Sequence, residues 1–122
     1  MKILVVEDDP VSLKLAHAVL DNGGNKVSDA VDPEHAMDAI HKEKPDVILM
    51  DLVLPGTDGL DLTRRLKSDP ETRHIPIIAM TSYPERFSRE DALKAGCDAY
   101  IVKPIDTRSF STQVAEIILR KK

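Results

Sequence analysis

Val47-Ile48-Leu49-Met50-Asp51 is a run of four apolar residues closed by an acid. An unbroken run of this length suits a strand covered on both faces, because a strand with one wet face would alternate. The same construction recurs three times. Ile3-Leu4-Val5-Val6 ends at Glu7-Asp8-Asp9, Ile77-Ile78-Ala79-Met80 at Thr81-Ser82, and Tyr100-Ile101-Val102 at Lys103-Pro104. If these strands are parallel, all four ends lie along one edge of a sheet. Ligands of open α/β sheets bind in the crevice outside those ends.

The stretches between the runs have helical spacing. Leu13, Ala16 and Leu20 share one face, as do Ala36, Ala39 and Ile40, then Leu62 and Leu66, and finally Phe110, Val114, Ile117 and Ile118. The stretch near 85–95 offers only Ala92, Leu93 and Ala95. Asp9-Pro10 and Asp32-Pro33 each read as an N-cap followed by Pro at the first helical position. Asp106 is expected to cap the last helix, and either Ser88 or Tyr83-Pro84 to open the fourth. Gly23-Gly24 and Gly96 stand where helices should stop. Lys26-Val27-Ser28-Asp29-Ala30 alternates and fits an edge strand. The pattern is βαβαβαβαβα, which right-handed crossovers fold into one parallel sheet with helices on both faces.

The composition narrows the function. A chain of 122 residues fits a single domain over 1–122 with one sizeable core. The formal net charge is −4, and no basic stretch beyond the tail Arg120-Lys121-Lys122 exists to hold nucleic acid. No apolar run approaches the roughly 20 residues that span a bilayer. One cysteine excludes an internal disulfide, and Cys97 reads as an inert buried thiol. The four histidines have no ligand spacing. These readings predict a cytoplasmic protein with neither membrane nor nucleic acid as a direct partner.

Carboxylates gathered at one sheet edge repel unless a cation joins them. Magnesium suits the task, since it takes one or two carboxylates, keeps waters and accepts phosphate oxygens. A carboxylate can also act as a nucleophile and form an aspartyl phosphate. Lys103 would add a point positive charge and Thr81 a hydroxyl donor. Asp9 precedes Pro10 and is used as a cap, which leaves Glu7 and Asp8 as the metal pair. Taken singly, Asp51 reads equally as a turn cap; Thr81 has a lesser alternative as a helix cap and Tyr100 as core packing.

Together, these residues resemble the receiver domain of two-component response regulators over the whole chain. The resemblance rests on Val-Val-Glu-Asp-Asp-Pro at 5–10, Ile-Leu-Met-Asp-Leu-Val-Leu-Pro-Gly-Thr-Asp-Gly at 48–59, Ala-Met-Thr-Ser at 79–82 and Ala-Tyr-Ile-Val-Lys-Pro at 99–104. It implies a flavodoxin-like (βα)5 fold, a five-stranded parallel sheet of order 2-1-3-4-5. It implies that Asp51 is the phosphoacceptor, that Asp8, Asp51 and the backbone carbonyl of Val53 bind Mg2+, and that Glu7 acts through a bound water. Lys103 and Thr81 would engage phosphoryl oxygens, and Tyr100 would move inward with Thr81. The Lys103-Pro104 bond would be cis. Leu52, Ser82, Tyr83 and Pro104 flank the site. Val53 and Tyr83 depart from common family choices and are expected to shield the phosphoryl group.

The implied function is a phosphorylation switch rather than an enzyme. A histidine kinase or phosphotransfer protein would load Asp51, and slow autodephosphorylation would unload it. The face of the fourth helix, fifth strand and fifth helix would contact an effector protein, as a monomer or a weak phosphorylation-dependent dimer. The start at Met1 and the end after the fifth helix favour a standalone regulator. The alternatives are a receiver cut from a larger regulator or hybrid kinase, and a magnesium phosphohydrolase. The latter lacks a second acid at Val53 and any cap segment.

Overall fold

The computed structural model describes residues 1–21 and 24–121. The main strands are β1 (Lys2–Val6), β2 (Lys26–Ala30), β3 (Val47–Asp51), β4 (Ile77–Thr81) and β5 (Ala99–Val102). The helices are α1 (Pro10–Asp21), α2 (Pro33–Lys42), α3 (Gly59–Ser68), α4 (Arg89–Ala95) and α5 (Phe110–Lys121). The strands are parallel, in the order β2-β1-β3-β4-β5. This is the flavodoxin-like order 2-1-3-4-5, with β2 at one edge as its alternating pattern requires. Val53–Leu54 and Thr57–Asp58 add a small antiparallel hairpin that the sequence reading did not foresee.

The pleat divides the core in two. Ile3, Val5, Val47, Leu49, Ile78 and Met80 face Ala16 and Leu20 of α1 and Phe110, Val114 and Ile117 of α5. Leu4, Val6, Ile48, Met50, Ile77 and Ala79 face Ala36 and Ile40 of α2, Leu62 and Leu66 of α3, and Ala92 and Ala95 of α4. Both faces are therefore dry, which is why the runs are continuous. Each fully buried Leu or Ile contributes about 1.5–3 kcal/mol of transfer free energy.

The caps explain where the helices begin. Asp9 Oδ2 accepts from the Ser12 N–H at 3.1 Å and its hydroxyl at 2.7 Å. Asp32 Oδ1 accepts from the His35 N–H at 2.8 Å, and Asp58 Oδ1 from the Asp61 N–H at 2.8 Å. Of the two candidate openings for α4, Ser88 is the N-cap, and 84–86 lie in a turn ahead of it. Gly96 ends α4 at φ +111°, a left-handed position. Asp106 departs from expectation. Its side chain accepts from the Arg108 N–H at 3.0 Å, so it caps a turn over 107–109, and α5 begins only at Phe110. Gly23 and Lys122 lie outside the described residues, as does the side chain of Lys121. No described helix is long and apolar enough to cross a membrane.

Candidate functional site

The carboxyl ends of β1, β3, β4 and β5 deliver the expected residues to one place. Asp51 is the last residue of β3 and Thr81 the last of β4, one position further into the strands than the apolar runs alone suggest. Lys103 follows β5, and its N–H donates to the Thr81 carbonyl at 2.8 Å. The Lys103-Pro104 peptide is cis, as expected. A cavity of about 230 Å3 is lined by Glu7, Asp8, Asp9, Ser12, Asp51, Val53, Ser82, Tyr83 and Lys103.

The acids are held unequally. Glu7 is 1% exposed and Asp51 6%, whereas Asp8 is open to solvent. One carboxylate oxygen from each of the three lies within 4.8 Å of the others. Asp51 Oδ1 accepts from the Val53 N–H at 3.0 Å, and Asp51 Oδ2 from Lys103 Nζ at 3.2 Å. The same ammonium hydrogen-bonds Glu7 Oε1. Lys103 therefore bridges two buried acids, a contact that its separation from both in sequence conceals.

Electrostatics follow from that crowding. Burial pushes the Glu7 carboxyl up to about 7, with its hydrogen bond to Asp51 adding to the rise and Lys103 opposing it. For Lys103, burial works to lower the pKa. The hydrogen bond to Glu7 and the charges of Asp51 and Glu7 outweigh it and hold the ammonium above the ordinary lysine value. Lys103 thus stays charged between the acids because its partners outweigh its burial, whereas at Glu7 burial prevails. One ammonium against three carboxyl groups, with Glu7 only partly ionised near neutral pH, leaves the cluster short of positive charge. An all-oxygen donor set with that deficit fits a hard divalent cation such as Mg2+.

Thr81 is fully buried, and its hydroxyl oxygen accepts from the Tyr83 N–H at 2.9 Å. That contact leaves the hydroxyl proton available to another acceptor. Tyr83 is half exposed beside the cavity, and Val53 is half-buried against the core. Tyr100 sits inward, 8% exposed, with its hydroxyl donating to the Phe87 carbonyl. Leu52 flanks the site through its backbone only, because its side chain is fully buried in the core. Ser82 is exposed at the rim. Pro104 faces a second, mainly apolar cavity shared with Val5, Leu15, Ala16, Met80 and Ile105. Asp9 lines the first cavity but is committed to Ser12, whose hydrogen bond holds its carboxyl below the usual range.

One contributor escaped the sequence reading. Gly59 opens α3 directly against the backbone of Asp51 and Leu52, and its N–H donates to the Leu52 carbonyl at 2.9 Å. A Cβ there would lie 2.4 Å from the Asp51 carbonyl oxygen. The closing glycine of the 48–59 motif was its only signal.

Comparison with known proteins agrees with this geometry. The model of the response regulator receiver domain matches residues 3–115. The polar-differentiation response regulator DivK of Brucella anthropi is 37% identical over 108 residues, 88% of each chain. The crystal structure of a two-component response regulator from Clostridium difficile shares 28% identity at a TM-score of 0.89, over 98% of this chain and 97% of that one. The receiver domain of sensor histidine kinase PA1611 from Pseudomonas aeruginosa PAO1 shares 34% identity at a TM-score of 0.82, over 98% and 94%. Its crystal structure has a magnesium ion coordinated in the active site cleft. Motif order, strand order and overall similarity agree, and this chain belongs to the response regulator receiver domain family.

Proposed function

We propose that Asp51 accepts a phosphoryl group from the phosphohistidine of a histidine kinase or phosphotransfer protein. A carboxylate oxygen of Asp51 forms the new P–O bond, the P–N bond breaks, and the imidazole leaves with a proton. Glu7, Asp8, Asp51 and the backbone carbonyl of Val53 would hold Mg2+, with Glu7 acting through water. The ion would neutralise charge on the transferring group. Lys103 lies 3.2 Å from Asp51 Oδ2 and can turn from that carboxylate to a phosphoryl oxygen. Thr81 can donate its free hydroxyl proton to another. That rearrangement would bias the face of α4, β5 and α5, through which the chain would signal to an effector protein. Water attack on the acyl phosphate would reset the switch slowly.

The observation that carries this reading is the Lys103 ammonium bridging Glu7 and Asp51 within the carboxylate cluster. Phosphotransfer profiling against histidine kinases and phosphotransfer proteins tests it, with Asp51→Asn as control. Mg2+-dependent transfer to the parent and none to the variant is expected. No labelling from any donor, including acetyl phosphate, would overturn it. PA1611 is a sensor histidine kinase, so a receiver within a hybrid kinase is the second reading.

A further inference from the structure

Arg89 occupies the first position of α4, where a cation opposes the helix dipole. Its guanidinium lies over the Tyr100 ring, 5.4 Å from the centroid, and Nη2 donates to the Tyr100 backbone carbonyl at 3.4 Å. Tyr100 is on the edge strand β5, so no further strand pins it from outside. Its hydroxyl is bound to the carbonyl of Phe87, whose own ring is buried in the core and anchors the loop between β4 and α4. Arg86 covers that second ring at 4.8 Å. Ring face, backbone carbonyl and hydroxyl of Tyr100 are thus each occupied by the opening of α4 or the loop before it.

We propose that Arg89 is a positioning residue that holds Tyr100 inward before any phosphoryl group reaches Asp51. This rests on the functional reading above and deepens it, because it makes Arg89 the determinant of how far the switch can travel. A cation–π contact at a partly exposed site shifts a two-state side-chain equilibrium by about twofold to fivefold. With Arg89 in place, phosphorylation finds Tyr100 already inward. Without it, phosphorylation must draw Tyr100 in.

The composition supplies the test. The chain has two tyrosines and no tryptophan, so Tyr83→Phe leaves Tyr100 as the single tyrosine emitter. Acrylamide quenching is measured in that background, with Mg2+ and with or without beryllofluoride as the phosphoryl mimic. Tyr100 should be quenched at least fivefold less than N-acetyltyrosinamide, and beryllofluoride should change that by less than twofold. Arg89→Ala should raise quenching twofold or more without the mimic, and beryllofluoride should restore protection. Arg89→Gln keeps a donor for the carbonyl but no cation and should fall between. Both variants relieve the helix dipole, so far-UV circular dichroism should be unchanged, and a purely structural role would leave Tyr100 equally protected. Free quenching of Tyr100 with Arg89 present, or unchanged quenching in both variants, overturns the proposal. If beryllofluoride does not bind Asp51, the functional reading fails, while the measurements without mimic still decide the role of Arg89.

Discussion

Gly59→Ala should damage the site from beneath. The added Cβ would lie 2.4 Å from the Asp51 carbonyl oxygen, 2.9 Å from Leu52 Cα and 3.1 Å from Asp51 C. A relaxed C···O contact is about 3.3 Å, so α3 and the end of β3 must separate by roughly 0.9 Å. All three obstacles are backbone, and no side-chain rotation relieves them. Overpacking of this kind costs about 1–3 kcal/mol, and stretching the Gly59 N–H bond to Leu52 adds up to about 1 kcal/mol. Better helix propensity returns at most about 0.5 kcal/mol, because Gly59 stands at the first helical position rather than mid-helix. The net loss is about 2 kcal/mol, read as a lower urea midpoint at unchanged slope. The displaced atoms carry Asp51, and a 1 Å misplacement can slow chemistry by about 100-fold. Acetyl phosphate labelling at saturating Mg2+, below the unfolding transition, should therefore fall by at least tenfold. Asp58→Ala is the control. It removes the cap of the same helix for about 1 kcal/mol without pressing on Asp51, so its labelling should stay within threefold of the parent. Wild-type stability and labelling in Gly59→Ala would refute the argument.

Three further outcomes follow from the same contacts. Lys103→Met removes the ammonium between two buried acids, so phosphoryl uptake by Asp51 should fall at least tenfold in single-turnover labelling; uptake within twofold of the parent would remove Lys103 from the mechanism. Tyr83 beside the cavity and Val53 next to the acceptor should slow water attack, so Tyr83→Ala with Val53→Asn should shorten the aspartyl phosphate half-life after donor removal, and an unchanged half-life would end the shielding idea. His35 is held above its ordinary pKa by its hydrogen bond to Asp32, so its stabilising effect is full below about 6.5 and lost as pH rises through the raised value. His35→Gln should accordingly lower the urea midpoint more at pH 5.5 than at pH 8, and NMR titration should show the His35 midpoint fall towards 6.5 in Asp32→Asn.

The strands were legible because both faces of the sheet are covered. Ile3 and Leu4 bury on opposite sides, as do Leu49 and Met50, so burial wrote itself as continuous runs. Glu7, Asp51, Thr81 and Lys103 were legible because each sits at the end of such a run. Helix four was less so. Only Ala92 and Ala95 bury from α4, and much of the apolar anchorage there comes from Phe87, which precedes the helix. Asp106 shows the limit of cap chemistry, since an aspartate caps a turn as readily as a helix and the sequence does not say which.

What stayed hidden was contact between residues far apart in the chain. Lys103 and Glu7 are separated by 96 positions, and no periodicity links them. Arg89 looks like an ordinary exposed charge at a helix start until Tyr100 is placed beneath it. Gly59 looks like a turn residue until the Asp51 carbonyl is placed above its absent side chain. Strand ends set where functional groups stand, and local patterns reveal strand ends. Tertiary contacts set what those groups can do, by deciding which charge is shared and which backbone is pressed. Asp51 is the clearest case: the sequence places it at an edge, while Lys103 holds its carboxylate and the close approach of Gly59 holds its backbone.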